Sequence, residues 1–183
     1  MKKKTIPALA LAYFGNLMAG TGVCLVFFAF FSAFFDFSIG TIVIQAAFLL
    51  VYGAFGYSVL WRRGSADSNL VHFGHIEKDL TKGFRVGLLG FLPYLLMDAA
   101  LLLSKAGLIA NWLWIFKILN TPYIALLNLC LSTGDIANHS WLAAAYPLLL
   151  HLFVILLAGM AYIIGYRGIS LLEKMVYKKV KKK

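Results

Sequence analysis

Three polar side chains sit where this apolar sequence least tolerates them. Asp98 interrupts the run 84–103, His151 the run 141–166 and Gln45 the run 39–60. An ionisable group surrounded by hydrocarbon is costly, so it is expected to face a partner or a wet cavity. A carboxylate and an imidazole on neighbouring helices could exchange a proton, because histidine titrates near neutral pH. The same two groups could instead satisfy one another, or bond to Ser104 or to backbone carbonyls, and so fix helix packing. The packing role is the reading the sequence favours. At about 1.5 Å per residue, Asp98 and His151 fall in the same half of a membrane, and Gln45 could join them. The candidate intramembrane polar cluster is therefore Asp98, His151 and Gln45.

Other chemistry finds little support in the residues. His72, His75 and Glu77 lie close in sequence, but no third ligand follows at a spacing that zinc would need, so no metal is expected. There is no glycine-rich phosphate loop, no serine or cysteine with a nearby base, and no closely spaced carboxylate pair. Neither an enzymatic activity nor a cofactor is expected. Cys24 and Cys130 lack any metal-type spacing and read as small buried hydrophobes rather than a disulfide.

The elements that must position these residues follow from composition. Of 183 residues, 62% are hydrophobic and 13% charged. Exchanging Tyr for Gly, to match the usual apolar count, gives about 66% against roughly 45–50% in soluble domains. A helix needs roughly 20 residues to cross a hydrocarbon core of about 30 Å. Four runs qualify, at about 6–35, 39–60, 84–103 and 141–166. The first is too long and uncharged for a cleaved signal and reads as a retained span. The expected fold is all-α, a four-helix transmembrane bundle forming a single membrane domain over 1–183.

A fifth apolar run, 112–131, contains Lys117, Asn120, Pro122 and Asn128. Proline cannot continue a helix ladder and biases the residue before it away from helix, so this run is expected to break at Asn120-Thr121-Pro122. Charge placement bears on whether it crosses. If it does not, 15 of the 17 Lys and Arg fall on one side of the membrane, leaving only Lys105 and Lys117 on the other. That asymmetry is the mark of a cytoplasmic face. Both termini are therefore expected in the cytoplasm, with 104–140 an outer segment that is interfacial or, alternatively, re-entrant. The interfacial form is favoured, and the re-entrant form would imply a pore or binding site. Trp61 then falls at the inner boundary, and Trp112, Trp114 and Trp141 at the outer one.

Two cytoplasmic elements remain. Over 61–83 the apolar positions Phe73, Ile76, Leu80 and Phe84 recur at helical spacing, which predicts a surface helix leading into the third span. Lys78, Lys82 and Arg85 on it are candidates for docking a protein partner in a membrane complex. The tail 167–183 is expected to form a basic helix, with Lys174, Lys178, Lys179, Lys181, Lys182 and Lys183 facing anionic lipids of the bilayer. Although the formal charge is +10, the basic residues flank apolar runs instead of forming a recognition face, so nucleic acid is not an expected partner. Gly83 and Gly87, and Gly15 with Ala19, are spacings that let helices approach closely.

The stretches Phe73-Gly74-His75-Ile76-Glu77-Lys78-Asp79-Leu80 with Gly83, and Ile164-Gly165-Tyr166-Arg167-Gly168-Ile169-Ser170-Leu171-Leu172-Glu173-Lys174, resemble segments of small multi-span membrane proteins of Gram-positive, clostridia-like bacteria. The resemblance covers about a fifth of the chain. It implies a place in the bacterial plasma membrane and transfers no activity and no site residues. The leading functional expectation is a non-enzymatic subunit or scaffold of a membrane complex. The alternative is a small transporter, or a substrate-binding transporter subunit, using Asp98 and His151.

Overall fold

Among the described residues, each of the four long apolar runs holds a single long α-helix. The computed structural model describes residues 5–31, 39–132 and 134–169, and among them the fold is all-α. The long helices are α1 (Ile6–Phe31), α2 (Ile39–His72) and α3 (Lys82–Lys105), and after two short helices, α4 (Leu113–Leu119) and α5 (Ile124–Cys130), the last described helix is α6 (Trp141–Tyr166). All four long helices are long and apolar enough to cross a membrane. Their outward faces carry large bare hydrophobics such as Leu11, Ile42, Leu50, Leu142 and Phe153. Helices apolar on nearly every side lack the polar stripe that a water-facing helix needs.

The helices run alternately up and down, with α1 parallel to α3 and α2 parallel to α6. The start of α3 meets the end of α6 where Gly83 and Gly87 face Tyr162 and Ala158, so the glycine spacing seen in the sequence serves packing within the chain. Gly15, by contrast, faces open space. The closest crossing is between α2 and α6. A methyl group on Gly64 would collide with the Tyr162 carbonyl, and one on Gly165 with the Trp61 carbonyl, so the two backbones touch because neither residue has a side chain.

Three helices stop by the same device. Gly74, Gly107 and Gly168 follow α2, α3 and α6 with φ of 72°, 75° and 64°. The next amide in each case bonds back five residues, as in His75 to the Leu70 carbonyl at 2.9 Å. This is the Schellman closure, which satisfies carbonyls that the helix end would orphan.

The α2 stop corrects two expectations. The helix does not end near Leu60 but runs on through Arg62, Arg63 and Gly64 to His72. Hydropathy marks where lipid contact ends, whereas the hydrogen-bond ladder continues while the backbone still packs, here against α6. The surface helix expected from Phe73 to Phe84 is also absent. Gly74 terminates α2, residues 77–79 have no regular structure, and α3 starts at Lys82 after Asp79 has accepted hydrogen bonds from the Thr81 amide and hydroxyl. The expected tail helix with its six lysines lies outside the described residues.

Because α3 and α6 are antiparallel, Lys105 at the end of one lies beside Trp141 at the start of the other, 5.9 Å from the ring centroid. The chain between them thus leaves and rejoins the bundle at one end. That end is called here the broken-helix end, and the opposite one, where α2 turns into α3, the hairpin end.

Candidate functional site

The segment between α3 and α6 breaks where Pro122 was expected to break it. Its halves, Leu113–Leu119 and Thr121–Cys130, meet at 90°. The break is buried against the long helices, with Asn120 and Thr121 each 1% exposed. A kinked backbone buried this way needs partners for the groups it frees, and side chains supply them. Gln45 on α2 donates from Nε2 to the Pro122 carbonyl at 2.6 Å and accepts from the Ala125 amide at 2.9 Å. Thr121 Oγ1 donates to the Ile118 carbonyl at 2.6 Å. Lys117 Nζ donates to the Leu131 carbonyl.

Asn120 carries the break to the centre of the bundle. Its Nδ2 donates to the Phe116 carbonyl at 3.0 Å, which points Oδ1 at His151 Nε2, 2.9 Å away. The other ring nitrogen, Nδ1, lies 2.7 Å from Asp98 Oδ2. The three side chains come from three separate elements, α3, the break and α6. Phe91, Tyr94 and Tyr123 surround the imidazole edge-on, with centroids at 5.1, 5.7 and 5.9 Å.

This geometry limits where protons sit. Since Asn120 Oδ1 can only accept, Nε2 carries a hydrogen. A second proton then bridges Asp98 Oδ2 and His151 Nδ1, either as imidazolium against carboxylate or as carboxylic acid against neutral imidazole. Both forms pair the two ring nitrogens and Asp98 Oδ2, and both leave the pair with no net charge. Removing that proton would set a lone pair against a carboxylate in a site without water-like screening. Asp98 Oδ1 makes no hydrogen bond among the described residues. The arrangement can thus do two things: staple the break into the bundle, and hold one proton between two acceptors.

Asp98 and His151, candidates for one cluster from the sequence, lie in direct contact. Gln45 does not join them but braces the break from the α2 side. Asn120, read in the sequence only as part of the break, is the true third member. Its signal was its place beside Pro122, where the kink must find partners.

A second buried cluster lies at the hairpin end. Asp67, 1% exposed, has Arg63 Nη2 at 2.8 Å in ion-pair contact and Lys82 Nζ at 2.6 Å. The Tyr162 hydroxyl donates to the same carboxylate at 2.9 Å. These side chains tie α2, α3 and α6 together, and two cations on one carboxylate leave a net positive charge. Beside them opens a basin of about 790 Å³, whose lining includes Asp67, His75, Glu77, Lys78, Asp79 and Tyr162.

The candidate docking residues separate here. Lys82 is buried in the Asp67 pair, so it is not a free docking charge as the sequence led one to expect. Arg85 pairs with Asp79, and Lys78 is exposed. Partial burial pushes the Asp79 carboxyl up, but the Thr81 hydrogen bonds and the Arg85 charge more than offset it, leaving it below its ordinary value. The sequence missed Asp67 and Tyr162, although the Arg63–Asp67 spacing of four is visible once α2 is known to continue. Among the described residues no three His, Cys, Asp or Glu gather as metal ligands would.

No protein-family model, curated protein or solved structure matches the chain.

Proposed function

We propose that the protein is a non-enzymatic subunit of a membrane complex, with the hairpin end in the cytoplasm and its basin as the docking face for a partner protein. The observation that carries this reading is the basin itself. It presents acids and bases side by side, with Phe73 standing 71% exposed at the same end. A bare aromatic beside mixed charge suits a protein surface better than a phosphate backbone or a lipid headgroup, because aromatic anchors dominate protein interfaces. The internal ion pairs of Lys82 and Arg85 hold the rim in shape and leave Lys78 available. The experiment is in-cell photo-crosslinking from position 73 or 78, with position 142 on the apolar surface as control. One defined adduct protein from 73 and 78, lost on Lys78→Glu, supports the reading. Adducts indistinguishable from those of position 142 overturn it.

The buried chain Asp98–His151–Asn120 favours a second reading, a transporter or substrate-binding subunit. Broken helices that meet ionisable groups inside a bundle recur where membrane proteins bind their cargo. In that case Asp98→Asn, whose amide can donate to His151 Nδ1, abolishes uptake or proton coupling while the fold survives.

A further inference from the structure

The cations of the hairpin end have acids against them: buried Arg63 and Lys82 share Asp67, and exposed Arg85 takes Asp79. Lys117 is different. It is half-buried in α4, its ammonium donates to the Leu131 carbonyl, and no carboxylate among the described residues lies within ion-pair distance. An ammonium has three donors, so two remain for an anion.

The space in front of Lys117 is a groove of about 300 Å³, at the small end of ligand pockets. Leu25 and Phe28 of α1 form one wall and Ile118 and Ile124 the other, while Lys117 and Asn128 add polar lining. The groove's own apolar lining is partly bare, Leu25 of α1 being 38% exposed and Ile118 and Trp114 of α4 45% and 68%. Beside a helix long and apolar enough to span a membrane, that surface faces lipid chains.

From this juxtaposition we infer that the groove is a binding site for an anionic phospholipid of the bilayer, one acyl chain lying between α1 and the broken segment and the phosphate on Lys117. The charge and the apolar channel call for the same ligand. A free anion would leave the channel empty, and a zwitterionic lipid would bring its own cation beside the phosphate and so pair less tightly with the ammonium.

The test uses the full chain in nanodiscs of phosphatidylcholine with a minority of phosphatidylglycerol, read by native mass spectrometry after release. The expected result is one phosphatidylglycerol retained in preference to phosphatidylcholine. Lys117→Gln lowers that retention by about tenfold, the loss of one charge-assisted hydrogen bond. Lys117→Arg and Lys105→Gln leave it unchanged, and phosphatidylglycerol held by the tail lysines forms a background that Lys117→Gln does not alter. Retention in proportion to lipid abundance, or equal retention by Lys117→Gln, overturns the proposal. So does complete displacement by inorganic phosphate, which would mark a simple anion pocket. Should Lys117→Gln fail to fold, phosphatidylglycerol carrying a mid-chain diazirine decides on the unaltered protein. Labelling concentrated near Leu25, Phe28 and Ile118 supports the site, and labelling spread evenly over all lipid-facing helices refutes it.

Discussion

Replacing either Asp98 or His151 by leucine should cost far more than half of what replacing both costs. In Asp98→Leu the imidazole loses its carboxylate and is left with a buried nitrogen unpaired. In His151→Leu the carboxylate is stranded, and Asn120 Oδ1 loses its donor. Breaking one side of a buried ion pair costs about 3–5 kcal/mol in soluble proteins. Interhelical hydrogen bonds in membranes average only about 0.6 kcal/mol and reach about 1.7, because the unfolded chain in lipid also finds partners. The Asp98–His151 contact belongs nearer the first figure. Its atoms are 2.7 Å apart and the side chains are 5% and 1% exposed, so neither group has a substitute at hand.

Each single leucine variant is therefore expected to lose about 2–4 kcal/mol, and the double variant to regain most of one such loss, a coupling of about 2 kcal/mol or more. The assay is equilibrium unfolding in a fixed mixed micelle titrated with a denaturing detergent, followed by tryptophan fluorescence. Additive losses, within about 0.5 kcal/mol, would refute the argument that the two groups act as one neutral unit. Asp98→Asn should lie close to wild type in this assay, which allows its effect on transport to be read without a folding defect.

Gly165→Leu and Gly64→Leu should each cost more than about 3 kcal/mol, since the collision is with backbone that no rotamer relieves; Gly15→Leu, which faces open space, should be neutral by the same unfolding measurement. Gln45→Leu orphans the Pro122 carbonyl and the Ala125 amide. A loss of about 1–3 kcal/mol is expected, with new proteolytic cleavage near 120–125. Asp79 titrates below the ordinary value of 3.8, so the stability it lends the α2–α3 turn is complete above that value and is lost as pH falls through the lower folded one. Hydrogen exchange of residues 77–81 should accelerate only in that acid window, and Arg85→Gln should move the window upward.

Composition and hydropathy were enough to place four helices and the break at Pro122, because apolar length and the missing proline N–H act locally and leave marks in one short stretch. They also identified Asp98 and His151 as residues in need of a partner, since a polar group in an apolar run is conspicuous whatever surrounds it. Local pattern failed where packing decides. Phe73, Ile76, Leu80 and Phe84 have helical spacing, yet Gly74 can adopt a positive φ and close α2, and once it does the spacing has no helix to belong to. Lys82 looks like a surface charge until α2 continues past Gly64 and brings Asp67 to it. Gln45 and Asn120 exchanged roles for the same reason. Which of two amides reaches His151 depends on how the broken segment enters the bundle and how the helices are rotated, and a helix's rotation is set by its neighbours rather than by its own residues.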